Sequence, residues 1–166
     1  MHRQFKSFLI RDWTSEDRTA AADVVKTVLE EYGLSWESGC CGGSDQDAVD
    51  VEKYYLRSGG EFWVVEHQDQ IVGTGGYHPI ERGNHAVEIR KMYLKPEVRG
   101  QGLGRFLLSQ LEQAATEKGF DEAWVETATV LKEAVVLYEK SGYEPKRGVE
   151  TERCDLVYAK PLTTLA

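Results

Sequence analysis

The run Arg99-Gly100-Gln101-Gly102-Leu103-Gly104 carries the clearest chemical signal in this sequence. Glycines at alternate positions let the main chain approach a ligand closely and adopt conformations that other residues avoid. The residues that follow, RFLLSQLEQAATEK, read as a helix, so free N–H groups and a positive dipole end lie directly behind the turn. Backbone amides converging in this way bind phosphate. No Gly-Lys-Ser/Thr closes the turn, so it is not a P-loop, and the glycine spacing does not fit a dinucleotide fingerprint. The strand-like run before it, AVEIRKMYL, changes phase halfway along. Val87 and Ile89 are apolar on one parity, Met92 and Leu94 on the other. Period-two alternation needs an extra residue to do that, which places a β-bulge near Arg90 and Lys91. A bulge leaves amides unpaired and splays the strand from its neighbour.

This strand, turn and helix resemble motif A of the GNAT superfamily of acyl-CoA N-acyltransferases. The stretch Leu137-Tyr138-Glu139-Lys140-Ser141-Gly142-Tyr143 is similar to a second signature of that family. The resemblance implies an α/β fold with one mixed central sheet and helices on both faces, in the order β-α-α-β-β-β-α-β-α-β-β. It further implies one domain over residues 1–166, acetyl-CoA as acyl donor, no metal, and direct transfer to an amine in a ternary complex. Backbone amides of Gly100, Gln101, Gly102, Leu103, Gly104 and Arg105 would hold the cofactor's pyrophosphate. Arg99 either adds charge there or closes the turn through a salt bridge. Amides freed near Met92, Tyr93 and Leu94 would pair with the pantetheine arm and polarise the acyl oxygen, a contact that can contribute several kcal/mol.

Such a transfer has to manage protons. An alkyl amine of pKa about 10.4 is only roughly one part in a thousand neutral near pH 7.4, and only that form attacks. Glu88, just before the bulge, is the best-placed carboxylate and matches a position often used as base in the family. That role requires partial desolvation, because a carboxylate at its ordinary pKa is a poor base. The alternative is a solvent-facing glutamate paired with Arg90 or Lys91. His78 and His85 are the other candidate bases. On the departing side, Tyr138 matches the family's usual general acid, whereas without the resemblance it would read as core packing. One departure stands out: the family often has Asn seven residues before this Tyr, and here Leu131 occupies the position. Thr127 or Thr129 would have to supply the missing polar contact.

Composition narrows the function classes. Of 166 residues, 41% are apolar and 29% charged, which is ordinary globular usage. No window approaches the ~20 apolar residues of a membrane span, and MHRQFKSFLIRDW lacks the apolar core of a signal peptide. A cytoplasmic protein with no membrane partner is the expectation. The formal net charge of −8 and the absence of Lys/Arg clusters disfavour nucleic acid and mildly favour cationic partners such as amines. The acceptor is therefore expected to be a small-molecule amine or an amino-acid-like compound, with a protein lysine or N-terminus, or a non-catalytic acyl-CoA-binding role, as alternatives. Nothing decides between monomer and homodimer. Cys40, Cys41 and Cys154 are too few for a disulfide scaffold. Cys40 and Cys41 read as thiols in a loop, with nothing nearby to make either an acyl-enzyme nucleophile.

The elements that must position these groups follow from periodicity. Residues 5–13 read as a strand. Thr14 and Asp17 cap a helix over 20–32 that Gly33 stops, and a short helix covers about 48–57. In the family pattern these helices border the acceptor pocket, making Trp36, Tyr54 and Tyr55 either substrate-wall residues or aromatic anchors on the sheet. Residues 61–67 and 71–80 form a hairpin, with Gly73, Gly75 and Gly76 marking a bend or close approach. Leu103, Leu107, Leu111, Ala114 and Ala115 face the sheet from the helix after the turn. A strand over 122–128, a helix carrying Leu131, Ala134, Val135 and Tyr138, and strands near 143–146 and 153–162 complete the chain.

Overall fold

A computed structural model describes residues 1–37 and 43–163. One eight-stranded sheet has the order β1-β2-β3-β4-β5-β6-β8-β7. Its strands are β1 (His2–Phe5), β2 (Phe8–Asp12), β3 (Glu61–His67), β4 (Gln70–Ile80), β5 (Ala86–Leu94), β6 (Glu122–Thr127), β7 (Glu144–Pro145) and β8 (Leu156–Pro161). Only β5 and β6 run parallel among the described pairs. Three helices, α1 (Arg18–Glu31), α2 (Leu103–Glu117) and α3 (Lys132–Lys140), cover it. The expected mixed α/β sheet is present, and no described helix is long and apolar enough to cross a membrane.

Alternation along β3 shows how the layers form. Trp63 and Val65 join a core with Leu103, Leu107, Leu108 and Leu111 of α2. Phe62 and Val64 point the other way, to Ala21 of α1, Val51 and Tyr55. Opposite parities face opposite sides, so α1 and α2 sandwich the sheet. Fully buried leucines such as Leu107 and Leu111 each contribute about 1.5–3 kcal/mol of apolar burial. The close approach expected in β4 is met at Gly76, where a Cβ would stand 2.7 Å from the Phe62 ring and 2.8 Å from the Glu61 carbonyl.

Two local expectations need correction. Residues 5–13 are not one strand: β1 and β2 form a hairpin, turning at Lys6 with φ 52°. Segment 48–57 is not an α-helix. It is a 3-10 turn at Gln46–Ala48 and a π-helical turn at Glu52–Leu56, closed by Arg57 N–H donating to Glu52 at 2.8 Å. Asp50 between β-branched Val49 and Val51 resists regular helix, and the wide turn lets Tyr55 bury fully and donate its hydroxyl to Asp47.

Candidate active site

The bulge lies where the phase change places it. Thr74 of β4 faces Tyr93, but Gly76 faces Arg90, so β5 carries one extra residue. Lys91 takes the strain, with φ 53°. Pairing between β5 and β6 stops at Ile89 opposite Val125. Beyond that point the two strands diverge, and the β6-facing edge of Arg90–Leu94 has no ladder.

Three neighbouring cavities, which share lining residues, occupy this opening. The first is a groove of about 330 Å³ between β5, the glycine-rich turn, α1 and α3. Met92, Tyr93, Leu94, Arg99, Gly100, Gly102, Leu103, Gly104 and Arg105 all line it. Gln101 does not. Its side chain turns back to the Val98 carbonyl, and its own carbonyl accepts from Lys6 Nζ at 2.8 Å. Gly100 and Gly102 have φ 78° and 88°, values that glycine adopts without strain. No side chain caps α2, so its first N–H groups are available to an anion. Arg99 is turned toward α1, donating to Glu31 at 2.7 and 3.1 Å and to the Leu94 carbonyl at 2.9 Å. It thereby closes the turn. Arg105 has no ion-pair partner among the described residues.

The second cavity, about 50 Å³, shares Met92, Tyr93, Leu131 and Ala134 with the groove and is lined on other sides by Glu88 and Tyr138. Glu88 is 7% exposed, not solvent-facing. Burial raises its carboxyl, outweighing the downward pull of Arg90. His78 lies opposite it on β4, Nε2 3.7 Å from Oε2. Burial, then Arg90, lower that imidazole, leaving it neutral near pH 7. His85 is elsewhere, exposed beside Asp121 at 3.5 Å. The Tyr138 ring packs edge-on against Tyr143 at 5.6 Å, and its hydroxyl has no hydrogen-bond partner among the described residues. Burial holds that hydroxyl well above the usual phenol range. It is a permanent hydrogen-bond donor near neutral pH, and a costlier proton source than an exposed tyrosine. Leu131, at the position where the resemblance often brings Asn, presents an apolar wall to both cavities. Of the two threonines, Thr127 lines the cavity, while Thr129 is engaged with Asp155 through its N–H and hydroxyl at 2.7 and 2.8 Å.

The third cavity, about 230 Å³, shares Arg90 and Thr151 with the second and adds Asp47, Tyr54, Glu150 and Glu152. Among the aromatics, Tyr54 stands on this wall. Tyr55 is a core anchor, and Trp36 packs beside Val25, Leu29 and Ala48. The loop carrying Glu150 is fixed from below: Glu126 accepts from the Glu150 and Thr151 amides at 3.0 and 2.7 Å and pairs with Arg82.

A buried charge network, not legible in the sequence, holds the cavity walls together. Lys91 Nζ, on a 4%-exposed side chain, lies 3.2 Å from Asp45, 3.3 Å from Asp47 and 2.9 Å from the Ser44 carbonyl. Asp45 also takes a two-pronged contact from Arg153 at 2.7 and 2.9 Å. Arg90 Nε stands 3.3 Å from Asp47. Burial pushes both aspartates up, but these cations pull them further down, so both are ionised. Cys154 also lines the second cavity, with burial pushing its thiol up to about 11; it is protonated and a weak nucleophile. Cys40 and Cys41 lie outside the described residues.

Comparison with known proteins agrees with this architecture. The sequence profile described as the Acetyltransferase (GNAT) family matches residues 25–143. An uncharacterized N-acetyltransferase of Escherichia coli K12, YjgM, is 36% identical over 140 residues, 84% of this chain and 83% of that protein. The chain spans about half the length of the mouse and rat N-acetyltransferase 8-type relatives it also matches. Among solved structures, a GNAT-family acetyltransferase of Staphylococcus aureus superposes with TM-score 0.85 at 19% identity, covering 94% of this chain and 99% of that one. An N-acetyltransferase of Thermoplasma acidophilum, crystallised with coenzyme A, gives 0.74 at 19% identity over 93% and 99%.

Proposed function

The chain belongs to the acetyltransferase (GNAT) family of acyl-CoA-dependent N-acyltransferases, and from that premise we propose that it moves an acetyl group from acetyl-CoA to the primary amine of a small-molecule or amino-acid-like acceptor, by direct attack. One observation carries this reading. The cavity lined by Glu88 and Tyr138 shares wall residues on one side with the groove at the uncapped start of α2 and on the other with the acidic third cavity. Two reactants entering from opposite sides would meet there.

The groove suits acetyl-CoA: uncapped helix amides and two left-handed glycines present N–H groups to a pyrophosphate, and Arg105 adds a cation. Bound there, acetyl-CoA supplies an activated thioester. Met92, Tyr93 and Leu94, on the unpaired edge of β5, offer amides to the acyl oxygen as negative charge develops on it. Glu88 takes the proton that the acceptor's ammonium must lose before its nitrogen can attack. Its buried carboxyl lies closer to neutral pH than an exposed one and is the better base for it. Tyr138 contributes a hydrogen bond to the departing sulfur.

The assay is thiol release from acetyl-CoA across a panel of small amines and peptides. Release with small amines supports the proposal. Release with peptides alone moves the acceptor to protein, and binding without release reduces the chain to an acyl-CoA-binding domain. In that assay Tyr138→Phe is expected to lower kcat roughly 10- to 100-fold with little change in acetyl-CoA affinity. An unchanged kcat removes the role.

A further inference from the structure

We propose that Arg90 reads a carboxylate on the acceptor, so that the acceptor is an α-amino acid with a neutral or basic side chain, bound by Glu88 at its amine and Arg90 at its acid. The inference rests on the acetyl-transfer reading and deepens it. Glu88 and Arg90 stand two apart on β5, and Arg90 Nε lies 4.0 Å from Glu88 Oε1. Arg90 lines both the second and third cavities, at their junction.

Three cations, Lys91, Arg90 and Arg153, meet Asp45, Asp47 and Glu88 around it. Lys91 sits between both aspartates, and Arg153 holds Asp45 in two short contacts. Arg90 is the least engaged: Nε at 3.3 Å from Asp47, Nη2 at 3.4 Å from the Ser44 carbonyl, and Nη1 with no partner among the described residues. Of these three cations, Arg90 is the one that lines both cavities. At the junction of the two cavities Arg90 and Glu88 stand 4.0 Å apart, and a ligand complementary to that pair carries an ammonium beside a carboxylate. A diamine would place its second ammonium near Arg90, and a lysine side chain within a protein has no carboxylate next to its amine. Glu150 and Glu152 on the outer cavity repel an acidic side chain.

The test uses matched acceptors sharing one side chain: free acid, α-carboxamide and decarboxylated amine, for leucine, phenylalanine and lysine, at saturating acetyl-CoA. The amide's amine loses its proton more readily, so a preference for the acid reports recognition and not reactivity. The wild-type protein is expected to favour the free acid by about 10- to 100-fold in kcat/KM, the effect of one charge-assisted contact. Arg90→Gln is expected to bring the acid-to-amide ratio toward one, with Arg90→Lys keeping part of it. Equal or better use of the amide by wild-type protein, which needs no variant to fold, overturns the inference. So does an Arg90→Gln ratio equal to wild type, which would leave Arg90 as a support for Asp47 alone. No release from any free acid while acetyl-CoA binds overturns the acceptor class, whereas no binding of acetyl-CoA overturns the underlying reading as well.

Discussion

Replacing Lys91 by Met is expected to destabilise the fold by about 3 kcal/mol, the lower end for breaking a buried ion pair because Arg153 and Arg90 remain on the aspartates. For a chain of this size that is a fall of roughly 6–12 °C in melting temperature. The physical source is the network itself. Met matches the length of the Lys stem, so the apolar packing is retained while two desolvated carboxylates lose their shared cation. The pH dependence separates this from a packing defect. Asp45 and Asp47 both titrate below their ordinary value of 3.8 in the folded chain. Their contribution is therefore complete above about pH 5 and is lost as pH falls through that range and below. The gap between wild type and Lys91→Met should be widest at neutral pH and narrow toward pH 3.5, measured by urea unfolding. A gap that stays constant with pH assigns the loss to packing, and no gap at all leaves the network without a stabilising role.

Glu88→Gln is expected to lower kcat/KM by about 100-fold or more, the usual scale for a lost general base. The change is nearly isosteric and removes only the ability to take a proton. The sign follows from the direction of its shift. The carboxyl is raised above its ordinary 4.5 by burial, and only its ionised form is a base. Wild-type kcat/KM should thus fall as pH drops through a value above 4.5, and this acidic limb should be absent from the variant. Neutral His78, 3.7 Å away, is the residue that would show itself if Glu88→Gln retained both the rate and the limb.

Much of the groove was legible because its signals are local. A parity change between Ile89 and Met92 admits only an inserted residue, and the structure places that residue at Lys91. Alternate glycines before a helix dictate an uncapped turn. The first hairpin was not legible, because Lys6 and Ser7 turn the chain without Gly, Pro or Asn. Nor was the π-helical turn, whose cause is the long-range burial of Tyr55 against Asp47. The charge network eluded the sequence for the same reason. Its members come from positions 44–47, 90–91 and 153, and only the fold brings them to one place.

Acetyl transfer by this chain requires the main chain from Met92 to Arg105 to cradle a nucleotide-tailed thioester. Calorimetric titration of acetyl-CoA into the folded protein measures this directly. A saturable 1:1 binding heat is the predicted result; a flat trace at millimolar ligand, with the protein shown to be folded, would contradict it.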